Sequence, residues 1–370
     1  MTTVTTSLTV HPVASRLSAA DRAARLRKPA FGSVFTEHMV SARWTAERGW
    51  HEAELRPFAP IEMPPSMVGL HYGQVVFEGL KAFRGENGEV ALFRPDEHAE
   101  RFRNSARRLM MPPPPVELFL EAAAELVRQD QDWLPADPNM SLYLRPVLFA
   151  SEADLGLRPA VEYRLLVIAF VTEGFFGSTL KPVTVWLSEE YTRVAAGGTG
   201  AAKCAGNYAG AYAAQAQAAA HGCDQVVWLD PVERKWVEEL GGMNLFFVLG
   251  AGDRASLLTP PLTGTILPGI TRASLLTLAG DLGIPVREER LSAAEWRDGC
   301  RGGEITEVFA CGTGARVCPV GEVRSATDSW TVPGRGEVTA RLAERLFGIQ
   351  RGTRPDHHGW LHHIGERGAG

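Results

Sequence analysis

The stretch Arg193-Val-Ala-Ala-Gly-Gly-Thr-Gly-Ala-Ala-Lys203-Cys-Ala-Gly-Asn-Tyr208 sets a single amine among small residues. Between Arg193 and Asp224 the only formally charged side chain is Lys203. Glycines let other backbone approach closely, and desolvation lowers the pKa of a lysine towards that of a usable nucleophile. The chain has only five lysines, Lys28, Lys81, Lys181, Lys203 and Lys235, so candidates for a reactive amine are few. Taken alone, the segment also suits a lysine reaching from a small-residue loop into water. It is not a Walker phosphate loop, because Ala202 precedes the lysine and Cys204 follows it.

Three further segments supply complementary chemistry. Trp236-Val-Glu238-Glu239-Leu-Gly241-Gly242-Met-Asn244 puts two carboxylates beside paired glycines, fit for a cationic ring nitrogen or for an ordinary charged strand end. Leu267-Pro268-Gly269-Ile270-Thr271-Arg272 opens a helix whose N–H groups and dipole suit a phosphate. The plainer reading there is Thr271 as the N-cap of a 271–282 helix. Ala310-Cys-Gly312-Thr313-Gly314-Ala315 follows a strand and makes either an anion-binding nest or a tight connection. An amine, an acid for a ring nitrogen and two phosphate cradles are the parts a pyridoxal 5′-phosphate site requires.

Outward from these segments, 370 residues are too many for one ordinary domain. Residues 1–30 are polar and aperiodic and read as a mobile N-terminal arm. Residues 31–172 read as a small α/β domain, 173–180 as the interdomain linker, and 181–370 as a large domain carrying Lys203. A helix from Pro95 ends before the Pro112–Pro115 run, and a second covers 116–130. Strands follow at Ser141–Ala150 and Tyr163–Thr172. Beyond the linker, strands at 183–189, 225–230, 244–249, 284–289, 305–311 and 316–324 alternate with helices at 206–221, 271–282, 292–300 and 336–348. The fold class is therefore α+β, or α/β with a mixed sheet.

Composition narrows the function. The chain is 45% apolar and 22% charged, with formal charge 38 − 43 = −5. That removes the electrostatic motive for binding nucleic acid or an anionic membrane. No apolar run is long enough to span a bilayer, and the N-terminus lacks the features of a signal peptide. Five cysteines without a CxxC pair argue against both a disulfide framework and a thiolate zinc site. His357-His358 and His362-His363 read as a solvated tail rather than a metal site. A reduced, cytoplasmic protein without a metal is expected. A nicotinamide-dependent oxidoreductase is excluded, since no G-x-G-x-x-G follows an early strand.

The sequence resembles the branched-chain amino-acid aminotransferases of fold type IV, from about Phe31 to the tail. The resemblance is carried by Phe31-Gly-Ser-Val-Phe-Thr-Glu-His-Met39, Leu70-His-Tyr-Gly-Gln-Val-Val-Phe-Glu-Gly-Leu-Lys-Ala-Phe83, Ser141-Leu-Tyr-Leu-Arg-Pro-Val-Leu148, Gly197 to Tyr208, Glu239 to Asn244, Leu267 to Arg272 and Gly312-Thr313. It implies the two-domain architecture of the D-amino-acid-aminotransferase type. It also implies pyridoxal 5′-phosphate as cofactor, and transfer of the amino group of leucine, isoleucine or valine to 2-oxoglutarate.

Residue by residue, the resemblance implies that Lys203 joins the cofactor covalently and shuttles the proton at substrate Cα. Tyr208 would bond the phenolate oxygen and Glu239 the pyridine nitrogen, leaving Glu238 a bystander on the other face of the strand. Arg101, Gly269, Ile270, Thr271, Gly312 and Thr313 would hold the phosphate. Tyr72, Phe77, Tyr143, Arg145, Gly314 and Ala315 would recognise substrate, with Arg145 meeting a γ-carboxylate and Tyr72 contributed across a homodimer interface. D-amino-acid aminotransferases and aminodeoxychorismate lyases share this lysine and glutamate logic and stand as alternatives. Ala315 replaces the first cysteine of the Cys-x-x-Cys pair some members carry, so no thiol switch of that type is expected at Cys318. Gly242 stands where some relatives have a hydroxyl residue.

Overall fold

The computed structural model describes residues 8–27, 29–173, 181–334 and 336–365. The linker expected at 173–180 lies, apart from Glu173, outside the described residues. The described chain divides into two compact units. The first takes the residues up to Glu173, the four residues Ala202–Ala205, and the chain from Ile349 onward. The second takes the residues from Lys181 to Ala201 and Gly206–Gly348.

The first unit is built on a nine-stranded sheet. Its order is Thr9–Val10, Gly49–Pro57, Phe35–Thr45, Glu162–Thr172, Ser141–Ala150, Leu80–Arg84, Val90–Phe93 and Leu361–Ile364, with Val75–Phe77 added on Ser141–Ala150. Only the Thr9–Val10 pairing is parallel. Two helices, Pro95–Arg108 and Val116–Asp130, bury Ala99, Phe102 and Ala106 and Leu118, Phe119, Ala122 and Leu126, apolar positions three and four residues apart. The first of these has proline in its opening turn, Asp96 and Glu97 at its start and Arg107 and Arg108 at its end, all matching the helix dipole.

The sequence pattern names the strands at 141–150 and 163–172, the second of which starts one residue earlier at Glu162, but none of the five between Phe35 and Phe93. Leu80–Arg84 and Val90–Phe93 are buried on both faces and do not alternate, and in the first two strands the alternation is broken. Glu52 takes φ +50°, and the ladder between Phe35–Thr45 and Gly49–Pro57 shifts register between Ser41 and Arg43. Such a bulge moves the following side chains out of the period-two pattern. Within the segment expected as an arm, Thr9–Val10 pairs with Gly49–Pro57 and Ala19–Arg25 forms a helix capped by Ser18.

The second unit carries a mixed sheet in the order Val237–Leu240, Gln225–Leu229, Val183–Ser188, Arg316–Arg324, Ile305–Gly312, Met243–Leu249, Ser256–Thr259 and Val286–Glu288. Val183–Ser188 runs parallel to both its neighbours. Val237–Leu240 also pairs with Met243–Leu249, closing six strands into a barrel without free edges. The seam of that barrel places Glu239 opposite Asn244.

Three expected elements differ in detail. The helix at 206–221 is two helices, Gly206–Ala209 and Tyr212–Ala220, because glycines at 206 and 210 give the first turn poor helix propensity. The strand at 284–289 shrinks to Val286–Glu288, since Pro285 has no N–H to extend the ladder. Thr271 does not cap its helix. Ile270–Asp281 starts one residue earlier, with Gly269 in extended backbone as the N-cap.

Candidate functional site

In the first unit, Lys203 is held by its own backbone. Its N–H donates to Ser105 Oγ at 2.9 Å, and its carbonyl accepts from the Phe77 N–H at 2.9 Å. Cys204 bridges to Val76, and the Ala205 N–H donates to the Val75 carbonyl at 3.1 Å. Residues 202–205 thus lie along the Val75–Phe77 strand. Ala202 and Cys204 are buried, while the half-buried Lys203 between them points to the other face. Its Nζ lies 5.0 Å from the Phe77 ring centroid.

Arg101 forks onto Glu78, with Nε 2.8 Å from Oε2 and Nη2 2.5 Å from Oε1. Glu78 is wholly buried, accepts the Gly79 N–H at 2.8 Å and stands 3.4 Å from His98 Nδ1. Burial alone would raise its pKa, but Arg101 and His98 outweigh burial and hold the carboxyl far below the usual range. Burial depresses His98, against the pull of Glu78, and keeps its imidazole neutral at pH 7. Ser105 Oγ also donates to the Arg101 carbonyl at 2.9 Å, so one helical turn anchors both Arg101 and Lys203.

Tyr143 and Arg145 are two apart on Ser141–Ala150 and share a face. Arg145 Cζ lies 4.9 Å from the Phe77 centroid and 5.5 Å from that of Tyr143. Its Nε is buried with no acceptor among the described residues, so the head group is able to meet an anion. Tyr143 stacks on Phe170 at 4.9 Å. Position 79 must be glycine, as a Cβ there would fall 1.7 Å from Tyr143 Oη. Lys203, Phe77, Tyr143 and Arg145 therefore form one group. Tyr72 stands apart from it, 51% exposed, with its hydroxyl donating to the Leu155 carbonyl at 3.0 Å.

In the second unit, Glu239 is 1% exposed. Its Oε1 accepts the Leu267 N–H at 2.6 Å and Asn244 Nδ2 at 3.5 Å, and its Oε2 lies 3.0 Å from Arg193 Nε. Glu238 is also buried. It accepts from Thr265 Oγ1 at 2.5 Å, and burial raises its pKa despite that bond. The helix start at Ile270 and Thr271 has no side-chain cap and no acid in its first turn, leaving its N–H groups suited to an anion. Arg272 is turned away to Glu288, at 2.6 Å. Asn244 Nδ2 donates to the Leu267 carbonyl at 3.0 Å, and a Cβ on Gly269 would fall 1.9 Å from Asn244 Oδ1.

Tyr208 is half-buried against Gly242, where a Cβ would meet the ring edge at 3.5 Å, an ordinary contact. Gly312 and Thr313 are partly buried and Gly314 and Ala315 buried, where the Ile305–Gly312 strand ends. Burial pushes the Cys318 thiol up to about 12, which makes it a poor nucleophile at neutral pH.

Sequence reasoning passed over Glu78, His98, Ser105 and Arg193. The first lies inside Val75-Val-Phe-Glu-Gly-Leu80, where a carboxylate flanked by apolar strand residues must be paired if buried. Arg193 marked the edge of the uncharged stretch but gave no sign of its partner, which is 46 positions away.

Comparison with known proteins gives one answer at three levels. Residues 75–323 match the family model described as amino-transferase class IV. The branched-chain-amino-acid aminotransferase of Mycobacterium tuberculosis strain H37Rv is 50% identical over 368 residues, covering 99% of this chain and 100% of that protein. Among solved structures, the branched-chain amino acid aminotransferase from Escherichia coli matches with a TM-score of 0.71 at 29% identity, over 88% of this chain and 100% of that one. A branched-chain amino acid aminotransferase from T.th., solved with pyridoxamine 5′-phosphate, matches with a TM-score of 0.70 at 30% identity, over 88% of this chain and 99% of that one.

Proposed function

The chain belongs to the class IV aminotransferases, in the branched-chain-amino-acid branch, and from that premise we propose that it transaminates L-leucine, L-isoleucine and L-valine with 2-oxoglutarate. The products are the branched-chain 2-oxo acids and L-glutamate, and the reaction runs in both directions. The observation that carries this reading is the group of Lys203, Phe77, Tyr143 and Arg145. It offers an amine, an aromatic wall for an apolar side chain, and an arginine whose buried Nε suits the γ-carboxylate of glutamate.

Pyridoxal 5′-phosphate is the cofactor we assign. The residues fit it: a buried carboxylate for a protonated ring nitrogen, an uncapped helix start for a phosphate, and an amine to bind the aldehyde. When bound, the group supplies an electron sink for the pair released at substrate Cα. Lys203 Nζ would hold the cofactor and, once freed, would take the proton from substrate Cα as general base and deliver it to the cofactor's aldehyde carbon as general acid. Glu239 accepts the ring N–H and Tyr208 donates to the phenolate oxygen. Gly269, Ile270, Thr271, Gly312 and Thr313 grip the phosphate through backbone and hydroxyl donors, with Arg101 adding charge. Phe77 and Tyr143 face the substrate side chain, Arg145 its distal carboxylate, and the Gly314 and Ala315 backbone adds further substrate contacts.

We also propose a homodimer in which Tyr72 reaches the partner's substrate pocket. The reading is supported by an exposed apolar patch on the first unit, made of Leu70, Tyr72, Leu155 and Leu157, the last 89% exposed. The hydroxyl of Tyr72 ties the two halves of the patch together.

The test is an absorption spectrum of the purified protein with added cofactor, before and after L-leucine and, separately, D-alanine. A lysine-bound cofactor band that converts to the pyridoxamine form with L-leucine alone is expected. Conversion by D-alanine alone would transfer the chain to the D-amino-acid branch, and no band at all would remove the assignment of Lys203.

A further inference from the structure

One guanidinium ties together three parts of the second unit. Arg193 is largely buried, with its Nε 3.0 Å from Glu239 Oε2. Its Nη2 donates to the carbonyls of Gly200, at 3.0 Å, and Thr265, at 2.6 Å. Gly200 lies three residues before Lys203, and Thr265 two before Leu267, whose N–H holds the other oxygen of Glu239 at 2.6 Å. The two segments are pressed together: a Cβ on Gly200 would fall 2.5 Å from the Thr265 backbone. Glu239 is thus gripped through both oxygens, and Arg193 both supplies one grip and braces the segment that supplies the other.

We propose that Arg193 is a positioning residue for the cofactor's ring nitrogen, acting through Glu239. A buried carboxylate without a counter-charge takes up a proton rather than remain ionised. Arg193 supplies that charge before the cofactor arrives, and its fork fixes the direction in which the carboxylate points. A lysine would restore the charge but not three simultaneous contacts, because an ammonium is a point donor and a guanidinium a planar fork. The inference rests on the functional reading above, which gives Glu239 to the ring nitrogen.

The test is a double-mutant cycle read on cofactor affinity rather than turnover. Apoenzymes of the parent, Arg193→Gln, Glu239→Gln and the double variant are titrated with pyridoxal 5′-phosphate by tryptophan fluorescence. The pH dependence of the bound cofactor's absorption band is recorded for each. Arg193→Gln should weaken binding by roughly 10- to 100-fold in the parent, the size of a lost charge-assisted hydrogen bond. In the Glu239→Gln background the same change should cost less than about threefold, because coupled residues are not additive. Arg193→Gln should also move the pH at which the band changes, and Arg193→Lys should recover part of the affinity. Equal losses in both backgrounds, or Arg193→Gln binding like the parent, would overturn the inference. If Arg193→Gln does not fold, Arg193→Lys carries the cycle: a loss confined to the Glu239 background supports the role, and equal losses defeat it. A parent that binds no cofactor defeats the functional reading and this one together, whereas a parent that binds normally beside an unaffected variant defeats only the role of Arg193.

Discussion

The two units hold their buried charges in different ways. In the first, buried carboxylates meet side chains: Glu78 meets Arg101 and His98, and Asp130 meets His38 at 2.6 Å, both partners fully buried. In the second, the buried pair Glu239 with Arg193 is framed by backbone as well. Glu239 accepts an N–H from Leu267, Arg193 donates to two carbonyls, and the helix at Ile270 presents peptide N–H groups. The difference follows from where the partners sit. In the second unit Gly200, Thr265 and Leu267 belong to no strand or helix, so their peptide groups have no ladder partners and pair with the buried side chains. In the first, Arg101 and His98 come in on the Pro95–Arg108 helix, whose backbone is already bonded along its length, and they meet the Glu78 side chain. Side-chain pairs can be broken one partner at a time. A backbone frame cannot be mutated away.

The contrast is tested most severely at Lys203, a single side chain on which all turnover depends. Lys203→Ala should abolish transamination while the variant still takes up pyridoxal 5′-phosphate noncovalently, because the backbone frame of the second unit is intact. Rate assays with L-leucine and 2-oxoglutarate, beside a cofactor titration, read both parts. Turnover close to the parent's would remove the lysine from the chemistry, and complete loss of cofactor uptake would show that the frame does not hold the cofactor by itself.

Next in size is Glu78. Glu78→Gln keeps the shape but strands the Arg101 charge in a buried setting, and breaking one side of such a pair costs about 3–5 kcal/mol. Denaturant unfolding should show that loss as a lower midpoint. The pair Arg301 with Asp328 at the surface, at 2.8 Å, with Asp328 half-buried and Arg301 exposed, is the control. Asp328→Asn there should cost less than about 1 kcal/mol. Equal costs at the two sites would mean that burial does not set the difference.

Much of this was legible in advance, and the exceptions share a cause. Strands 141–150 and 316–324 and the helix 116–130 have the bounds read from the pattern, because each is a run with one period and punctuated ends. The strands at 35–45 and 49–57 were missed where the bulge at Glu52 breaks the alternation, and those at 80–84 and 90–93 because they are buried on both faces and do not alternate. At the site, Lys203 and Glu239 stood out as charges among small residues. The pairing of Arg193 with Glu239 and of Glu78 with Arg101 did not, since a contact 46 or 23 positions apart leaves no local mark. The burial of Glu238 and its bond to Thr265 were not legible either, because strand alternation says which face a side chain takes and not whether that face is wet.

The smallest expected effect is a pair of opposed slopes. His98 and Glu78 both have folded-state pKa values below their ordinary ones. Below the ordinary histidine value of 6.5, and again below the ordinary carboxyl value of 4.5, the unfolded chain binds protons that the folded one refuses. Acid therefore costs the first unit stability through both windows. Glu238 has the opposite sign. Its folded pKa is raised by burial, so from 4.5 up to that raised value the folded state keeps a proton the unfolded state has lost, and stability there falls as pH rises. Hydrogen exchange separates the two, once rates are corrected for the intrinsic pH dependence of exchange. Amides of the Pro95–Arg108 helix should lose protection as pH drops from 7 towards 5, while those of the Val237–Leu240 strand lose less or gain. Glu238→Gln should flatten the second slope and leave the first untouched. If both sets of amides follow one slope, the units unfold together and the difference between their buried charges is invisible to the solvent.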